Sequence, residues 1–254
     1  MSAKRQAGAA PPKSPGGAKR FLPFAIIGGV LAVVLGAAVV LMRSNDPGGS
    51  SVTNTASRAN TNAAAPAAAP RRSPLPGAQP AHSVGPENAP VVLEEFGDFQ
   101  CPPCGRMHPV VQQIERDYGD RLRFVFRHYP LQQIHKNAFS AARAAEAAGM
   151  QGKFWEMHDI IFDNQNAWKD SAEPRTIFAD YARGLGLNVE KFQADMARQE
   201  VADRVMADFQ RGNSLGVSGT PTFFVNGREL PGTQALDPAY LRAQIDQALG
   251  AAGR

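Results

Sequence analysis

Cysteine is nearly absent from this 254-residue chain: there are two, Cys101 and Cys104, three positions apart. No further pair exists, so a disulfide framework is excluded as the source of stability. A loop this tight adds little closure entropy of its own. The pair is therefore reactive, half of a metal site, or incidental. Ligands for a metal site are scarce as well. His108 falls four residues after Cys104 and could share its helix face, but there is no second C-x-x-C and no H-x-x-x-H pair. The sequence thus predicts neither a zinc constellation nor any other metal site. No phosphate-cradling glycine loop and no internal repeat appear, and no cofactor is predicted. An excess of positive charge is missing where it would matter. Of the net +4, residues 1–20 contribute +5 and residues 43–85 contribute +3, leaving −4 from residue 86 onward. A mildly acidic folded part excludes nucleic acid as a partner.

Charge is also absent from Phe21 to Met42, FLPFAIIGGVLAVVLGAAVVLM. These 22 residues are enough to cross a bilayer core as a helix. Lys4, Arg5, Lys13, Lys19 and Arg20 precede the run, and only Arg43 follows closely. The positive-inside rule then puts residues 1–20 in the cytoplasm as a basic tail, 21–42 in the inner membrane as a single-pass anchor, and everything later in the periplasm or another extracytoplasmic space. A cleavable signal peptide is the competing reading, but the run ends in Val39, Val40, Leu41 and Met42, a poor cleavage site. Both readings export the domain. Residues 43–85 are Ala, Pro, Asn and Ser with scattered Arg and no apolar period. They read as a disordered linker, about 40 residues with a mean span of roughly 35 Å.

From Ala89 the pattern changes. Ala-Pro-Val-Val-Leu-Glu-Glu-Phe reads as a short buried strand, and Met107, Val110, Val111 and Ile114 recur at helical spacing after the cysteines. Cys101-Pro102-Pro103-Cys104 therefore sits where a strand ends and a helix begins. A thiolate there faces free N–H groups and the positive end of the helix dipole, which lower its pKa. Cys101, at the exposed N-cap, is the expected attacking thiol, and Cys104, one turn in, the resolving thiol. Pro102 and Pro103 carry no N–H, so only Cys104 and later residues can donate to that thiolate. A moderate depression is expected, not one below about 4 as in the most acidic thiols of this kind. His108 is expected to be an ordinary exposed helix residue.

These residues resemble a known family. Gly85-Pro86-Glu87-Asn88-Ala89-Pro90-Val91-Val92 with Glu95-Phe96-Gly97-Asp98-Phe99-Gln100-Cys101-Pro102-Pro103-Cys104 is similar to the opening of the DsbA-like thioredoxin-fold proteins. The resemblance resumes at Val217-Ser218-Gly219-Thr220-Pro221-Thr222-Phe223-Phe224-Val225-Asn226-Gly227. It implies an α/β thioredoxin-like domain over residues 86–254 with a helical insertion at about 136–212. It also implies Cys101 as nucleophile, Cys104 as resolving thiol, and Thr220-Pro221 as a cis-proline pair beside them that offers its backbone to a client strand. Glu95 falls where the family places an acid beneath the cysteines, able to relay the Cys104 proton. Glu94 points the other way. Pro109 is expected to kink the active-site helix.

Leu122–His128 alternates as a strand. Asn137–Ala148, Lys153–Asp163, Pro174–Leu185 and Glu190–Arg211 read as helices. Thr222–Val225, Asn226-Gly227 and a second strand near Glu229–Leu230 read as a hairpin, and a terminal helix starts at Asp237-Pro238. Phe154, Trp155, Met157, Trp168, Phe192 and Phe209 read as packing; no partner is predicted for His128, His135 or His158. The expected activity is protein-disulfide exchange, with oxidation the favoured direction and a reductase or isomerase as alternatives. A thiol-based metal chaperone or binding module is the alternative of another class. The expected partners are exported clients with cysteine thiols and a quinone-linked membrane reoxidase.

Overall fold

The computed structural model describes residues 74–253. The expected tail, anchor and most of the linker lie outside the described residues. Among the described residues, no helix is long and apolar enough to cross a membrane.

Five strands form one mixed sheet in the order β1-β3-β2-β4-β5. These are β1 (His82–Val84), β2 (Val91–Gly97), β3 (Leu122–His128), β4 (Thr222–Val225) and β5 (Arg228–Glu229). Strand β2 is central, parallel to β3 and antiparallel to β4. Helix α1 (Pro102–Tyr118) makes the β2-to-β3 crossover that a parallel pair needs. It starts at Pro102, where a missing N–H costs nothing, and Pro109 lies inside it. Asn226 and Gly227 take positive φ of 47° and 78°, the backbone of a tight hairpin turn between β4 and β5.

The pleat assigns the side chains of β2 to opposite faces. Val91, Leu93, Phe124, Phe126, Phe223 and Val225 enter one large core that also holds Cys101 and Cys104. Phe96 and Phe224 enter a smaller cluster with Tyr129 and Val217. Glu95 pairs in register with Phe126 and Phe223 and so shares the face of the cysteines. Glu94 faces the other way and is clamped by Arg127 and Arg211, each 2.9 Å from its carboxylate.

Six helices lie between β3 and β4: α2 (Ala138–Gly149), α3 (Phe154–Asp163), α4 (Gln165–Trp168), α5 (Pro174–Gly184), α6 (Val189–Ala197) and α7 (Gln199–Leu215). Buried alanines at 141, 142, 144, 145, 147 and 148 let neighbouring helices approach α2 closely. Trp168, Phe192 and Met157 are wholly buried, and Phe154 nearly so. Trp155 pads the core from its edge, and Phe209 does the same for the smaller cluster. Helix α8 (Pro238–Ala252) is capped by the Asp237 carboxylate, which accepts from the Ala239 N–H at 2.9 Å.

Three expectations need correction. The linker does not run unstructured to residue 85. The Ala78 N–H donates to Asp208 at 2.8 Å, the Ala78 carbonyl accepts from Arg127 at 2.9 Å, and β1 pairs with β3. The domain thus includes residues 75–85, which the sequence assigns to the linker. Glu190–Arg211 is not one helix, because Arg198 is extended (φ −69°, ψ 143°) and Arg143 of α2 takes its carbonyl oxygen at 3.2 Å. His108 is not exposed; only 5% of its surface is accessible.

Candidate active site

Residues from four segments converge at the N-terminus of α1. Cys101 is its N-cap, in extended conformation, and Cys104 lies in the first turn. Both are free thiols, Cys104 fully buried and Cys101 only 4% exposed. The expected exposed N-cap is therefore largely covered. Its neighbours are exposed Pro102 and, across the site, half-buried Thr220. The Thr220–Pro221 peptide bond is cis, and the Cys101 Sγ–H donates to the Thr220 carbonyl oxygen at 3.3 Å.

The two thiols are driven apart. Cys101 is lowered to about 6, first by the Cys104 thiol donating to its sulfur, then by Thr220 and the Cys104 N–H; burial and the Asp98 charge oppose this. Thr220 Oγ1 is buried and has no partner among the described residues, so it is free to donate to a thiolate. Pro102 and Pro103 contribute no N–H, which fits a moderate depression. Cys104 is raised well above the ordinary thiol range by burial, then by the neighbouring Cys101 sulfur and Glu95. Glu95 itself is pushed up to about 8 by burial, with Glu115 and Cys101 adding repulsion. A buried acid that is protonated at neutral pH thus lies beneath the pair, on the face that strand parity requires.

Sequence reasoning missed the frame around these groups. Buried Asp98 accepts from the Gln100 N–H at 2.7 Å, the Leu131 N–H at 2.9 Å and His135 Nδ1 at 2.7 Å. The Gln165 amide donates to the carbonyls of Phe99 and Cys101 at 2.7 and 3.0 Å. Gly105 leaves room for it, since a Cβ there would come within 3.0 Å of Gln165 Oε1. Gln100 bonds Asn137 and Lys169, tying the insertion to the active-site loop. Local pattern carries no signal for these contacts, because each partner is more than thirty residues away except the Asp98–Gln100 turn. A cleft of about 220 Å³, lined by Pro103, Arg106, Met107, Val110, Leu236 and Pro238, flanks the same end of α1.

A strand-to-helix C-x-x-C facing a Thr-Pro loop is the site expected from the resemblance, and a family model described as Thioredoxin matches residues 78–247. The chain belongs to the thioredoxin family. Its fold is that of DsbA-type thiol–disulfide oxidoreductases. It is similar to alpha-DsbA1 of Wolbachia pipientis (TM-score 0.61, 22% identity, 68% of this chain and 93% of that one). It is similar also to oxidised BdbD of Bacillus subtilis (TM-score 0.60, 23% identity, 70% and 100%). A thioredoxin-like oxidoreductase from Silicibacter pomeroyi is 30% identical, with TM-score 0.56 over 67% of this chain and 92% of that one. Among curated proteins, Na(+)/H(+) antiporter NhaA 1 of Salinispora arenicola is 42% identical over 156 residues, 61% of this chain and 23% of that protein. This thioredoxin-family chain thus spans about a quarter of the length of the curated relatives it matches.

Proposed function

We propose that this protein exchanges disulfides with other proteins through Cys101 and Cys104, chiefly as an oxidant of exported clients. One observation carries the reading: two free thiols share the first turn of α1, with Cys101 at the N-cap against the Thr220 carbonyl oxygen at 3.3 Å and Cys104 buried behind it. In the oxidised form, a client thiolate attacks Cys101 Sγ. The Cys101–Cys104 bond breaks, and its electron pair leaves on Cys104, which takes a proton. Glu95, protonated below about pH 8, supplies that proton on the buried side. A second client thiolate then attacks the client sulfur of the mixed disulfide, and Cys101 leaves as a stable thiolate. The client loses two electrons to become a disulfide; the protein gains them as a dithiol. A quinone-linked membrane partner then takes them up.

A low Cys101 pKa stabilises the reduced form and so favours oxidation of clients. The apolar cleft beside Pro103 suits client side chains, and the Thr220 backbone suits a client strand. The uncharged run from Phe21 to Met42, with five cations before it, supports anchoring in the inner membrane with the domain outside. The test is the potential of the Cys101–Cys104 couple against glutathione. An oxidant lies between about −120 and −200 mV; a value near −270 mV would assign a reductase instead.

A further inference from the structure

Outside the redox site, one cluster of side chains that could hold a metal ion stands, among the described residues, between the active-site helix and the insertion. His108 on α1 and His158 on α3 lie with ring centroids 5.4 Å apart. His108, His158 and Asp159 each present a donor atom within 4.8 Å of the others. Asp159 Oδ1 is 3.8 Å from His108 Nε2 and 2.9 Å from His158 Nδ1, and Asp163 Oδ1 is 3.5 Å from His108 Nε2. The edge of a zinc tetrahedron with nitrogen and oxygen ligands is about 3.3 Å. His108, His158 and Asp159 stand near that spacing, and Asp163, beside His108, can turn towards them because its carboxylate, like that of Asp159, reaches solvent.

A second observation is independent of this spacing. His108 Nε2 is buried, and no hydrogen bond satisfies it among the described residues. An orphaned imidazole nitrogen that is aimed at carboxylates and buried in a well-packed interior needs an explanation. Rings of Phe99, Phe126, Trp155 and Phe162 surround His158 at centroid distances of 4.6 to 5.4 Å. The aromatic wall fixes the ring, and a cleft of about 380 Å³ lined by Gln112, Glu115, Arg116, Trp155, His158 and Asp159 opens beside it.

We infer that His108, His158, Asp159 and Asp163 form a binding site for a zinc-type transition-metal dication that clamps α1 to α3. Two neutral imidazoles and two carboxylates balance the charge of a dication. The set suits zinc and its late first-row neighbours and is unsuited to magnesium or calcium, which take oxygen ligands alone. The cysteines take no part, so the site does not depend on their redox state.

The test uses the full chain in detergent, without a histidine tag and with the disulfide oxidised, titrated calorimetrically with zinc chloride. One zinc per chain is expected, with a higher melting temperature when zinc is present. Cobalt should give visible bands of tetrahedral coordination without a thiolate charge-transfer band. Loss of an outer-shell partner alone costs about 10–100-fold in metal affinity, so Asp163→Asn, at an exposed position, should weaken binding at least about tenfold. His108→Gln should abolish it, and a Cys101→Ser/Cys104→Ser chain should bind as tightly as the parent. Absence of stoichiometric binding would overturn the site. So would zinc binding unaffected by Asp163→Asn, binding lost in the cysteine variant, or equal binding of magnesium.

Discussion

Cys101 Sγ and the Thr220 carbonyl oxygen meet at 3.3 Å across 119 residues of sequence. The contact pins the nucleophile to the loop that carries Pro221 and leaves the Thr220 hydroxyl as the one side-chain donor beside it other than Cys104. Thr220→Val removes that donor. A hydrogen bond to a charged group contributes about 1.5–3 kcal/mol, so the Cys101 pKa should rise from about 6 by about one to two. Titration of thiolate absorbance reads this directly, and an unchanged curve would remove Thr220 from the account.

Exchange itself depends on the two sulfurs in different ways. Cys101→Ser should abolish insulin or dithiol exchange. Cys104→Ser should keep the attack but lose resolution, trapping a mixed disulfide that a non-reducing gel displays. Exchange at the parental rate in Cys101→Ser would refute the assignment.

Glu95 couples stability to pH. Its folded-state pKa of about 8 lies above the ordinary 4.5, so the native state holds a proton that the unfolded chain releases between those values. Stability should therefore fall as pH rises through that window, by about 1.4 kcal/mol per pH unit at most. Glu95→Gln should flatten the slope and raise stability at pH 8, while slowing exchange about tenfold or more through loss of the relay. Denaturant midpoints at several pH values measure the first effect, and stopped-flow exchange the second.

Asp98 works against the thiolate, because its charge raises the Cys101 pKa. Asp98→Asn should lower that pKa further and make the couple more oxidising. It should also cost about 1–3 kcal/mol, because an amide cannot accept from Gln100, Leu131 and His135 as the carboxylate does. A potential measured beside an unfolding curve separates the two effects.

Arg127 joins the N-terminal strap to the sheet, reaching Glu94, Asp208 and the Ala78 carbonyl at 2.9 Å each. Arg127→Ala leaves buried Asp208 without its cation and Glu94 with Arg211 alone, and should destabilise the domain by about 3–5 kcal/mol. Removing residues 74–84 should have an effect in the same direction, measured by chemical denaturation; a neutral truncation would mean that the strap only rests on the domain.

The sequence alone determined the elements whose signal is local. Strands β2, β3 and β4 follow from runs of apolar residues, α1 from a 3.6-residue period after two prolines, and the hairpin from Asn226-Gly227. Cys101 and Cys104 were legible for the same reason: their chemistry depends on three-residue spacing and a strand-to-helix junction. Pairing was decided only by the tertiary structure. It covered Cys101, laid residues 74–84 on the sheet edge, brought Asp98 to His135, and buried His108 against His158, whereas Thr220 beside Cys101 was expected from the family resemblance. The physical reason is that burial and long-range partnership are set by how two faces pack. A histidine on a short apolar stretch reads the same whether it meets water, an aromatic ring or a second imidazole.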